Sequence, residues 1–95
     1  RTRTTLLVSH GAVDRAGVRP EATVDWAIAA GVTDVGIEHT LIDQTVAAAA
    51  RAARLLLGAW TVNEEAAMRR MLALGVDVLT TDRPDVAVRL RAGRP

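Results

Sequence analysis

Trp60-Thr61-Val62-Asn63 and Thr80-Thr81-Asp82-Arg83-Pro84 are two strand endings, separated by a helical stretch that runs out at Gly75-Val76-Asp77. An apolar run, Leu55-Leu56-Leu57-Gly58-Ala59-Trp60, leads into the first ending, and Asp77-Val78-Leu79-Thr80-Thr81 forms the second strand. Between them Ala67, Met68, Met71, Leu72 and Gly75 recur at the spacing of one helix face. Asn63 is placed to cap that helix, and Glu64 and Glu65 suit its positive end. Pro84 fits the first turn of a last helix over Asp85 to Arg91. Strand, helix, strand, helix is therefore the reading of the second half.

The first half repeats it. Thr4-Thr5-Leu6-Leu7-Val8-Ser9 reads as a strand ending at His10-Gly11, where the glycine permits a sharp turn, and a loop with Gly17 and Pro20 follows. Glu21 to Ala30 places Val24, Ala27, Ile28 and Gly31 at helical spacing, and Gly31 stops the helix as a left-handed cap. Asp34-Val35-Gly36-Ile37-Glu38-His39 is a weaker strand because of Gly36. Asp43 is a cap for a helix from Gln44 to Arg54, whose Val46, Ala49, Ala50 and Ala53 form an apolar stripe with Arg51 and Arg54 on the solvated side. Trp26 reads as packing, and the Asp14-Arg15 and Arg69-Arg70 charges as solvated faces. Four strand–helix units imply a parallel sheet with right-handed crossovers. Such apolar strands fit burial on both faces. A tail over Arg91 to Pro95 is expected to fray.

Ninety-five residues make one domain, 1–95, and the apolar fraction of 49% is that of a globular chain. No apolar run approaches the ~20 residues of a membrane-spanning helix. All 12 basic residues are Arg, net charge is +1, and only two aromatic residues are present. With no Arg cluster interleaved with aromatics, nucleic acid is not an expected partner. Absence of Cys removes disulfides, thiol catalysis and thiolate metal sites. It does not fix the compartment, for which the cytoplasm is the preferred reading. Arg1 in place of Met, with no signal-like segment after it, reads as an internal residue of a longer protein or one exposed by processing.

In βα folds the functional groups collect at the carboxyl ends of the strands. That rule nominates Ser9-His10, Glu38-His39-Thr40, Trp60 to Asn63 and Thr81 to Arg83, which converge on one edge if the units share a sheet. His10 reads as a substrate contact or acid/base group, the usual work of an imidazole in a site, or else as a hydrogen-bonded loop histidine, since no partner group is visible. Glu38 and His39 are neighbours on a strand, so only one faces inward. A metal site needs three or more ligands together, and no second acidic cluster stands at ligand spacing, so no metal is expected on this chain. Trp60 offers an apolar face to a ligand's carbon skeleton and an indole N–H to its oxygens, or closes the rim as a core residue. Asn63, Thr61 and Asp82 are first helix caps and turn residues. Arg83 suits a phosphate but by default is exposed.

The order Trp-Thr-Val-Asn, helix, Gly-Val-Asp, apolar strand, Thr-Asp-Arg-Pro-Asp resembles the end of the glycerophosphodiester phosphodiesterase family. The likeness is most specific from about Leu57 to Asp85. It implies that the chain is the carboxyl-terminal half of a (β/α)8 barrel, a fold that typically takes ~250 residues, with these four strands as the last four. It implies metal-assisted hydrolysis of a glycerophosphodiester to an alcohol and glycerol 3-phosphate, a reaction of lipid metabolism, with calcium or magnesium as the cation of the complete enzyme. The match puts Trp60 on the substrate side, and Glu38 and His10 join it as candidate substrate-binding residues. The family's His-Arg-Gly segment, second catalytic His and acidic metal ligands have no counterpart here: His10 is followed by Gly11-Ala12 and His39 by Thr40. No catalytic residue and no metal ligand is therefore assigned, and the chain alone is expected to be inactive. Its expected partner is the amino-terminal half of the barrel. The alternative is a non-catalytic half-barrel that pairs with a second copy across its open strand edges.

Overall fold

The computed structural model describes residues 3–92. Four strands, β1 (Thr5–Val8), β2 (Asp34–Glu38), β3 (Leu56–Trp60) and β4 (Val78–Leu79), form one sheet in sequence order, every neighbouring pair parallel. The helices are α1 (His10–Ala16) and α2 (Ala22–Ala30) after β1, α3 (Gln44–Ala52) after β2, α4 (Glu65–Ala73) after β3 and α5 (Pro84–Ala92) after β4, with a 3-10 turn at His39–Leu41. This is the α/β architecture expected, a run of four βα units as found in a (β/α)8 barrel. No helix among the described residues is long and apolar enough to cross a membrane.

The helices cover one face of the sheet. Val8, Val35, Ile37, Leu57 and Ala59 point to that face and are buried against Val24, Ala27, Val46, Ala50, Met68 and Met71. The alternate strand positions point the other way, and there the expectation of burial on both faces fails. Leu7 is 70% exposed, Leu56 40% and Val78 38%. No second layer lies over this face among the described residues. Ile28 on α2 and Val88 on α5 are also exposed, against the inward reading of Ile28. They belong to the first and last units, whose helices have a neighbour on only one side.

Local chemistry explains most of the boundaries. Asp43 caps α3 through a 2.9 Å bond from the Val46 N–H, and Pro84 opens α5, both as read. An unforeseen helix is α1. Ser9 caps it, its hydroxyl accepting from the Ala12 N–H at 3.2 Å, and Gly11 lies inside it rather than in a turn. Arg70 is not simply solvated: its guanidinium donates twice to the Ile42 carbonyl, at 3.0 and 2.8 Å, tying α4 to the loop before α3. The tail is helical through Ala92, and the rest of the expected fraying lies outside the described residues.

Three helices end in the same way. After α2, α3 and α4 the chain closes with paired backbone bonds, Gly31 to Ile28 and Val32 to Ala27, Arg54 to Arg51 and Leu55 to Ala50, Gly75 to Leu72 and Val76 to Met71. Gly31 and Gly75 take the left-handed position in two of them, so Gly75 is an exposed cap and not an inward residue. In the third, Arg54 holds φ at 59°. A Cβ in that region costs about 1–2 kcal/mol, partly offset by the backbone entropy glycine loses on folding. Arg54→Gly is therefore expected to stabilise the fold by up to about 1 kcal/mol in urea unfolding.

Candidate functional site

Parallel strands bring all four carboxyl ends to one edge, and the register sets the open face in levels. Thr5, Asp34 and Leu56 form the lowest, Leu7, Gly36, Gly58 and Val78 the middle, and Glu38 beside Trp60 the uppermost. The face is a trough of about 450 Å³ whose walls include Arg3, Leu7, Asp34, Trp60 and Thr80.

Its lower end is closed by charge. Asp34 is nearly buried, and its carboxylate accepts from the Arg3 guanidinium and, at 2.6 Å, from the Thr33 hydroxyl. The Arg3 hydrogen bonds, then the one from Thr33, hold the Asp34 carboxyl below the usual aspartate range, while Arg3 is shifted upward by the same pairing. This ion pair sits at the amino ends of the strands, away from the rim where βα folds carry chemistry.

At the rim the three candidate residues come together. The backbone N–H of His10 donates to Glu38 Oε1 at 2.9 Å, joining the ends of β1 and β2. The His10 ring pairs through Nδ1 with Asp14 Oδ2 at 3.0 Å, one turn along α1. This partner was missed at the level of sequence, although its signal is simple: His and a carboxylate four apart share a helix face. Of the adjacent pair, Glu38 stands on the same face as Asp34 and Gly36, whereas His39 opens the 3-10 turn. Trp60 registers with Glu38 across the β2–β3 ladder. Its indole N–H, read from sequence as a donor to ligand oxygens, instead donates to the Gly36 carbonyl at 2.9 Å. The ring therefore lies over β2. An ideal Cβ on Gly36 would come within 2.9 Å of Leu7 Cδ2, so the glycine makes room for Leu7, and would lie in ordinary contact, 3.6 Å, with Trp60 Cδ1.

The cap assignments at the third and fourth rim positions are corrected. Asn63 does not cap α4; Glu64 holds that position without a side-chain bond. The Asn63 amide crosses instead to the turn after β4, where Thr81 and Asp82 bind it. Thr81, not Asp82, supports the start of α5, its hydroxyl accepting from the Arg83 N–H at 2.9 Å. A side chain whose partners lie 18 and 19 residues away leaves no local signal. Glu65 likewise pairs with Arg69 and with Arg89 on α5, and the Arg69 hydrogen bond leads in holding its carboxyl low. Arg83 is exposed, and Thr61 lines the trough. Among the described residues no three His, Asp or Glu side chains gather in a way that would hold a metal ion.

Comparison with known proteins places this geometry. Over 56 residues, 59% of this chain, the sequence is 39% identical to glycerophosphodiester phosphodiesterase GDPD4 of Arabidopsis thaliana, of which it covers 17%. Two crystal structures of provisionally named glycerophosphoryl diester phosphodiesterases superimpose on it. That from Agrobacterium tumefaciens str. C58 is 33% identical with a TM-score of 0.81, matching 95% of this chain and 36% of its own. That from Silicibacter pomeroyi DSS-3 is 27% identical with a TM-score of 0.76, matching 93% of this chain and 30% of its own. The chain thus spans about a third of the length of these solved relatives. Residues 2–86 match the sequence pattern of the glycerophosphoryl diester phosphodiesterase family, to which this chain belongs.

Proposed function

We propose that the chain, as one domain over residues 1–95, is the carboxyl-terminal half of a glycerophosphodiester phosphodiesterase barrel, and that its rim binds the organic part of the substrate. The observation that carries this reading is the open sheet face: a trough lined by Leu7, Val78 and Trp60, with Glu38 in register with Trp60 and bonded to the His10 N–H, and strands β1 and β4 each with a neighbour on one side only. An uncovered face with two free strand edges is incomplete as it stands. Addition of four further βα units gives the barrel its missing wall.

In the complete enzyme a water oxygen attacks phosphorus, the bond from phosphorus to the alcohol oxygen breaks, and a proton passes to the departing alcohol. A divalent cation, calcium or magnesium, supplies charge neutralisation at the phosphoryl group when bound. The described residues of this chain do not fit such an ion, because no ligand cluster is present. Acid/base groups and metal ligands are accordingly assigned to the amino-terminal half. This half orients the substrate. Trp60 presents its ring to the carbon skeleton. The His10 ring pairs with Asp14 through Nδ1, which leaves Nε2 for a substrate hydroxyl, while Glu38 offers its second carboxylate oxygen.

Co-expression with the amino-terminal half of a family barrel tests this. Neither half is expected to release glycerol 3-phosphate from a glycerophosphodiester alone, and the mixture with calcium or magnesium is expected to do so. A mixed barrel that forms and stays inactive defeats the proposal. The same free edges favour a second reading, closure by a second copy of the chain. Sedimentation of the chain alone as a stable dimer, with no gain from the other half, selects that reading.

A further inference from the structure

Two turns that lie far apart in sequence are joined by one side chain. Asn63 Oδ1 accepts from the Asp82 N–H at 2.8 Å and from the Thr81 hydroxyl at 3.2 Å, and Nδ2 donates to Asp82 Oδ2 at 3.1 Å. Both ends of the amide are matched, acceptor to donors and donor to a carboxylate. The β3–β4 ladder is short: β4 contributes two residues, the Asp77 N–H extends it below to the Leu57 carbonyl, and toward the turn the Thr80 N–H and carbonyl carry it on to Ala59 and Val62. Between Asn63 and Trp60, Val62 is fully buried and its N–H donates to the Thr80 carbonyl at 2.8 Å. Trp60 reaches the opposite way, to Gly36 on β2. Residues 60–63 are thus held from two sides, by the indole on β2 and by the Asn63 amide on the turn after β4.

We infer that Asn63 is a positioning residue: by clamping residues 60–63 to the Thr81–Asp82 turn, it sets the orientation of the Trp60 ring at the rim of the trough. Its consequence for turnover rests on the proposed substrate contact of Trp60; the clamp itself does not. The amide is chemically specific. A carboxylate at position 63 retains the acceptor bonds but faces Asp82 across the 3.1 Å contact, two like charges in one site. Exchanging the two groups restores a donor opposite an acceptor.

The test uses the intact protein in three forms: Asp82→Asn, Asn63→Asp, and the exchange Asn63→Asp with Asp82→Asn. The readout is hydrogen exchange of the Trp60 indole N–H, assigned by its loss in Trp60→Phe. Asp82→Asn is expected to stay within about two-fold of the parent, because its amide still accepts from Asn63. Asn63→Asp is expected to exchange about ten-fold faster at neutral pH, recovering as pH falls through the carboxylate range. In the exchange variant, protection returns to within about two-fold of the parent. A merely destabilised turn gives no such recovery. Unchanged protection in Asn63→Asp overturns the inference, as does an exchange variant that fails to fold or to recover. Where a glycerophosphodiester is hydrolysed, KM rises about ten-fold in Asn63→Asp with kcat held within about three-fold, and the exchange variant reverses it; an unmoved KM also overturns the positioning role. If no form hydrolyses the diester when joined to the amino-terminal half with calcium or magnesium, parent included, the proposed function fails while the indole still decides the clamp.

Discussion

Trp60→Ala, in the complete enzyme of the proposed reading, is expected to lower kcat/KM for a glycerophosphodiester by about 10- to 100-fold, the worth of roughly 1.4–2.8 kcal/mol of transition-state binding. Two losses combine in that figure. The substrate loses the flat apolar surface at the rim, and Gly36 loses the donor that covers its carbonyl. Trp60→Phe separates them. It keeps an aromatic ring at the rim while removing the N–H and the second ring of the indole, so its stability cost is about 1 kcal/mol and most of kcat/KM survives. Steady-state kinetics of both variants beside urea unfolding checks the division. A Trp60→Ala enzyme with parental kcat/KM removes Trp60 from the site.

The second large effect is on the fold. Ile37→Ala is expected to cost about 2–5 kcal/mol, and Ile37→Val about 0.5–1.5 kcal/mol. Ile37 is fully buried in a central strand, paired with Val8 on one side and Ala59 on the other. Ala59 is too short to fill the space that a truncated neighbour leaves. Set against total stabilities of about 5–15 kcal/mol for ordinary domains, the change removes a large share of what holds the chain. Chemical unfolding monitored by far-UV circular dichroism measures it. A cost near that of Ile37→Val shows that the core closes around the cavity, against the close packing on which the figure rests.

What the sequence made legible was whatever is encoded within one turn of a helix or one strand. Asp43 three residues before Val46, Gly31 at the end of α2 and Pro84 at the start of α5 each act through immediate neighbours, and each was readable. The edge on which His10, Glu38 and Trp60 meet was also readable, because strand direction alone decides it. Failures fall where the partner is distant or a residue type has two uses. Asn63 and Asp82 are common caps, and the local rule assigned them so; the sheet instead brings them to each other. Gly11 suggested a turn because glycine tolerates positive φ, but it lies in α1, where the Ser9 cap was the stronger signal. Arg70 looked solvated because the Ile42 carbonyl it binds belongs to another unit.

Gly36 and Gly58 pair side by side at the middle level of the open face, flanked by Leu7 and Val78. Barrel interiors are filled in layers by side chains from all around the ring, and this half gives its two central positions no side chain at all. In the proposed barrel Leu7 and the Trp60 ring already reach over Gly36, so the closing wall has to bring bulk over Gly58, where small residues would leave a void. Under that reading, fit between halves is sorted by volume as well as by hydrogen bonding. In the proposed barrel a Gly58-to-large change on this side and a large-to-small change opposite are expected to act as a matched pair, a size code written across the barrel axis.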